Sequence, residues 1–142
     1  MGVGWKHLLL DLWKCDPRTS DRADDVAKVV RRTLKAIGST NLQSIYRRVP
    51  GLGVIGIATA EEGHVSVHTV VQAGYAAADI LSCSEDFNLS EVVAALVSGL
   101  GASSWNVVEM SRGSSTEIEV VSVSKSSPPP LDGGIVGTTG GG

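Results

Sequence analysis

The sequence predicts an α+β fold, a largely antiparallel β-sheet with two helices packed on one face. Three observations carry that expectation. About seven short segments alternate apolar and polar residues with the period of a strand, and only two segments carry helical spacing. The order of these segments also lacks the regular strand–helix–strand alternation that builds parallel sheets. With 142 residues, 42% of them hydrophobic, the chain suits one compact domain with a real core. That domain is expected over residues 1–123, with a tail over 124–142.

From Trp5 to Trp13, Leu8, Leu10 and Leu12 fall on one face and His7, Leu9, Asp11 and Trp13 on the other, the pattern of a strand that Asp16-Pro17 ends. Between Ser20 and Ile37, Ala23, Val26, Val30, Leu34 and Ile37 recur at three-to-four spacing. Acids come early, Arg31, Arg32 and Lys35 come late, and Gly38 is the stop, as a helix and its dipole require. Leu42 to Val49 and Val54 to Ala60 read as strands joined in a hairpin by Pro50-Gly51-Leu52-Gly53.

His64 to Val70 alternates, and after a turn near Ala73-Gly74 an Ala-rich strand runs from Tyr75 to Cys83, giving a second hairpin. Asn88 with Glu91 three positions on is a capping box. It opens a second helix with Val92, Ala95, Leu96 and Leu100 on one face and Gly101 beyond, whose small residues predict close packing. Trp105 to Met110 and Glu117 to Val123 make two last strands around Arg112-Gly113-Ser114. From Ser124 the composition turns to Ser, Pro and Gly, with Pro128-Pro129-Pro130, and a disordered tail is expected there.

The net charge of -3, from 12 basic and 15 acidic residues spread along the chain, argues against a nucleic-acid partner. Leu8-Leu9-Leu10 is too short for a signal or membrane segment. Cys15 and Cys83 lie far apart without metal-binding spacing, so no metal is expected and the natural setting is the cytoplasm with reduced thiols.

Strand geometry places His64, Ser66 and His68 on one face, with Val65, Val67 and Thr69 on the other. On the neighbouring strand Tyr75, Asp79 and Cys83 share a face, so a hairpin could bring an imidazole, a carboxylate and a thiol together. The plainer alternative is that the histidines are solvated and Cys83 is a small buried hydrophobe.

Glu62-Gly63-His64-Val65-Ser66-Val67-His68-Thr69, then Gly74-Tyr75-Ala76-Ala77-Ala78-Asp79 and Cys83, resemble the core of prokaryotic S-adenosylmethionine decarboxylases. Lys6-His7-Leu8, Cys15-Asp16, Gly53-Val54-Ile55-Gly56 and Val107 to Arg112 extend the resemblance over about residues 5 to 113. It implies a proenzyme of spermidine and polyamine biosynthesis. In that family a serine attacks the carbonyl of the preceding glutamate and eliminates to leave a pyruvoyl group, which serves as electron sink. By the same resemblance His68 would serve in self-processing and Cys83 would protonate the product carbanion. His64, Ser66, Val70, Gln72, Tyr75 and Asp79 would lie about the ligand.

The chain departs from the family at three places. Gly63 stands where the serine should be, so neither the ester nor the pyruvoyl precursor is expected to form, and no cofactor is expected. Ser66 follows Val65 and not the glutamate, so it cannot substitute. Ile55 replaces a helper serine, and Val70-Val71-Gln72 replaces Trp-Pro-Glu, costing an ion pair of about 1 to 3 kcal/mol in a partly buried site.

Three changes around one site fit natural loss of catalysis better than a single engineered trap. The resemblance therefore implies a non-catalytic homologue that binds S-adenosylmethionine or a relative, as a homodimer or paired with an active paralogue. The alternative is an active enzyme, either a serine-to-glycine variant of the ordinary decarboxylase or one using His68 and Cys83 without pyruvoyl. A third possibility is a structural domain with no ligand.

Overall fold

The computed structural model describes residues 2–126. Seven strands form one antiparallel sheet: β1 (Trp5–Trp13), β2 (Asn41–Val49), β3 (Gly53–Ala60), β4 (Gly63–Val70), β5 (Tyr75–Ser82), β6 (Ser104–Arg112) and β7 (Glu119–Lys125). Their order across the sheet is β2-β3-β4-β5-β1-β6-β7. The first strand of the chain is therefore an interior strand, paired on one side with β5 and on the other with β6.

Helices α2 (Ala23–Ala36) and α3 (Leu89–Leu100) pack together over one face. Leu8, Leu10, Leu12, Val65, Val67 and Ile80 of the sheet meet Val26, Val30, Leu34, Leu96 and Leu100 of the helices in one buried cluster. Each fully buried leucine contributes about 1.5 to 3 kcal/mol of transfer energy. Gly99 lets α3 approach closely, since a Cβ there would lie 2.7 Å from a Val29 methyl.

The expected helix between Ser20 and Ile37 appears as α2. A short, unexpected helix α1 (Pro17–Ser20) precedes it, making three α-helices among the described residues where two were expected. The Asp16 carboxylate accepts from the Arg18 N–H as N-cap, and Pro17 supplies a preset φ at the first position, so the residues that end β1 also start a turn of helix. A single-turn 3₁₀ segment, Val71–Ala73, occupies the expected turn before Gly74.

Strand β7 lies two residues later than its expected span and carries order past the domain boundary expected at 123, because Asn106 and Val107 pair with Lys125 and Ser124. Ser126 then closes the ladder, donating its N–H to Trp105 O at 2.9 Å and accepting from Trp105 N at 3.0 Å. Most of the expected disordered tail, residues 127–142, lies outside the described residues.

Thr69 fastens the layers. Its Oγ1 is buried, donates to Ser20 O at 2.7 Å and accepts from Val54 N at 2.8 Å, so one hydroxyl joins α1, β3 and β4. The helices cover only one side of the sheet. Leu9, Ile45, Ile55 and Ile57 stand exposed on the other side, here termed the open face.

Candidate functional site

Two groups of candidate residues sit on or beside the open face. The first lies where β4, β5 and β1 run side by side. Ser66 is directly opposite Asp79, His64 opposite Leu81 and His68 opposite Ala77. Across β5, Leu9 of β1 pairs with Asp79 and Asp11 pairs with Ala77. Asp79 Oδ1 lies 3.5 Å from His7 Nε2, and the Tyr75 hydroxyl donates to Asp11 Oδ1 at 2.5 Å.

The bond to Asp11 favours the protonated phenol. Together with burial and the negative charges of Asp11 and Asp79, it pushes the Tyr75 pKa up to about 12. The Trp13 and Tyr75 rings pack at 4.5 Å between centroids, tilted by 41°. Beside them a shallow depression of about 370 Å³ is lined by Leu9, Asp11, Ala77, Asp79, Asn106 and Val108.

The second group surrounds the turn between β3 and β4. Ala60 and Gly63 are the last paired residues, leaving Glu61-Glu62 as the two-residue connection. The Glu62 carbonyl accepts from the Cys83 N–H at 2.9 Å, and Glu62 Oε1 accepts from Ser39 Oγ at 2.9 Å. Gly63 opens β4 with φ of +153°.

Cys83 falls just past the end of β5, not within it, and is exposed, so the reading of it as a buried hydrophobe does not hold. The buried thiol is Cys15, which desolvation pushes up to about 11.

The hairpin sets His64 opposite Leu81, midway between Asp79 and Cys83 in sequence, whereas it carries His68 away from the thiol. His68 lies five residues along β4 from Gly63, about 17 Å at 3.3 Å per residue, and faces Ile55 and Ala77. Cys83 stays at the Gly63 end. Val70 pairs with Tyr75 beyond His68, and Gln72 is exposed in the 3₁₀ turn.

His7, Asp11, Asn106 and Ser39 are absent from the sequence-based set. The alternation of β1 puts His7 and Asp11 on its polar face, but nothing local places β1 beside β5. Among the described residues, no group of three His, Cys, Asp or Glu could hold a metal ion, and no helix is long and apolar enough to cross a membrane.

The profile of one protein family, described as S-adenosylmethionine decarboxylase, matches residues 6–113, which span the sheet from β1 to β6 and hold both groups. The chain belongs to this family. A Methanococcus aeolicus S-adenosylmethionine decarboxylase proenzyme is 32% identical over 112 residues, covering 79% of this chain and 96% of the relative. The same-named protein of Thermotoga maritima is 30% identical over 115 residues, covering 81% of this chain and 88% of that one. The crystal structure of the adenosylmethionine decarboxylase from Aquifex aeolicus superimposes with a TM-score of 0.72 at 22% identity, over 82% of this chain and 97% of that one, a likeness of fold. The S-adenosylmethionine decarboxylase fold is thus present nearly whole, with the expected α+β architecture.

Proposed function

We propose that this chain is a non-catalytic member of the S-adenosylmethionine decarboxylase family, which binds S-adenosylmethionine or a related small molecule and modulates polyamine biosynthesis. The observation that carries the reading is Gly63. It directly follows Glu62, whose carbonyl the family's serine would attack, and it has no hydroxyl. The residues present therefore do not fit a pyruvoyl group, and no step is assigned through one. Glu62, His68 and Cys83 remain, while Ile55 and Gln72 depart from the family beside them.

In this reading the protein works as a homodimer or beside an active paralogue. His68 and Cys83 sit toward opposite ends of the β4–β5 ladder, and exposed Ile45, Ile55 and Ile57 line the open face between the two ends and the sheet edge. A second copy laid across that face by a two-fold axis would cover the isoleucines and bring the His68 end of one copy toward the Gly63 end of the other. His64, Ser66, Val70, Gln72, Tyr75 and Asp79 are the proposed ligand-binding residues between them. The proposed setting is the cytoplasm, where both thiols stay reduced.

The names of the relatives favour a second reading, an active decarboxylase, either in serine-to-glycine form or with His68 and Cys83 carrying pyruvoyl-free chemistry. Calorimetric titration with S-adenosylmethionine, alongside release of carbon dioxide, separates the two. Micromolar binding, about -8 kcal/mol, without turnover is the expected result. Turnover would establish the second reading, and no heat up to millimolar ligand would remove the ligand and leave a protein partner as the function.

A further inference from the structure

We infer that self-processing is blocked by the backbone at residues 62–63, with the Leu81 carbonyl as the obstructing group, and not by the missing hydroxyl alone. The inference rests on the non-catalytic reading of Gly63 and deepens it. Gly63 holds φ of +153°, a region that residues with a Cβ rarely enter. A Cβ built there would overlap Leu81 O and lie 2.7 Å from Leu81 C and 3.0 Å from Ser82 Cα. These are main-chain atoms, so no rotamer change relieves the contact.

Neither side of the junction is free to retreat. Strand β5 is pinned from behind by β1, where His7 pairs with Leu81 and Lys6 with Ser82. Gly63 itself is paired on both sides, with Ala60 and with Ser82. The turn is tied to the same place by the Cys83 N–H on Glu62 O and by Ser39 Oγ on the Glu62 carboxylate. Seating a serine would mean lifting the junction off Leu81 and loosening the Cys83 bond to the carbonyl that the serine must attack. Ser39 and Leu81 are thus positioning residues for a closed turn.

Gly63→Ser, alone and combined with Ile55→Ser, is expected to run as one uncut chain in intact-mass spectra and to melt about 5 to 10 °C below the parent. Splitting of Gly63→Ser between residues 62 and 63 would overturn the inference. If these variants do not fold, a pair of diastereomers decides. Assembly by ligation at Cys15 and Cys83 allows Gly63→L-alanine to be compared with Gly63→D-alanine, whose mirror-image centre favours positive φ. The D-form is expected to melt higher, and equal or reversed stability would overturn the inference. Turnover of S-adenosylmethionine by the unaltered protein would sink the non-catalytic reading instead, and leaves the diastereomer comparison standing.

Discussion

The main-chain N–H of Cys83 donates to the carbonyl oxygen of Glu62 at 2.9 Å, so the backbone that carries this exposed cysteine is held beside the Glu62–Gly63 peptide bond, toward the opposite end of β4 from His68. The accessibility of Cys83 sets the first expectation. A thiol reagent should modify one cysteine rapidly in the native protein, and peptide mapping should find it at Cys83. Cys15, buried and with its thiolate disfavoured up to about 11, should react only on unfolding. Comparable rates at both positions would contradict the packing around the end of β1.

Tyr75 gives a pH-dependent expectation. Its folded pKa of about 12 exceeds the ordinary phenol value near 10, so the folded state holds this proton more tightly than the unfolded chain. The linked stability is complete below about pH 10 and is lost as pH rises toward about 12. Asp11→Asn should bring phenolate formation, followed by ultraviolet absorbance, back toward the ordinary range. An unchanged titration would mean that the Tyr75–Asp11 bond is not formed in solution.

Thr69→Val keeps the shape of the side chain and removes its hydroxyl, leaving the Val54 N–H and the Ser20 carbonyl without their partner. A loss of about 2 to 4 kcal/mol in urea unfolding is expected. A loss under about 0.5 kcal/mol would show that water replaces the hydroxyl at no cost.

Leu8→Ala removes a fully buried side chain from the interior strand β1 and should cost about 2 to 5 kcal/mol by the same measurement.

Ile57→Arg places a charge among the exposed isoleucines on the β2–β3 side of the open face without touching the core. If two copies meet there, the variant should sediment as a folded monomer where the parent sediments as a dimer. A parent that is already monomeric at tens of micromolar would remove the homodimer from the proposal.

Much of the fold is legible in the sequence because the local signals are strong. The alternation of Leu8, Leu10 and Leu12, the three-to-four spacing from Val26 to Leu34 and the Asn88–Glu91 cap each fix an element by short-range physics, and each appears in the structure. Helix α1 was hidden because Asp16-Pro17 reads equally as the end of a strand and as a cap followed by a first helical residue.

The site was only half legible. Ser66 and Asp79 oppose each other as period and turn require, since both lie in one hairpin. His7 and Asp11 join them through a pairing between residues more than sixty positions apart, which no local pattern encodes. Cys83 was displaced by a single residue at a strand end, enough to move it from the sheet face to the turn.

The interior place of β1 also bears on how the molecule is made. Strand β1 leaves the ribosome before both of its partners, β5 and β6. The hairpins from β2 to β5 can zip as they emerge, because each closes a short loop. Until they do, Leu8, Leu10 and Leu12 have no sheet to enter, and a strand made before its partners is seated late. The nascent chain therefore carries an unsheltered apolar strand until β5 and β6 have emerged, the interval in which chaperones and aggregation compete for it.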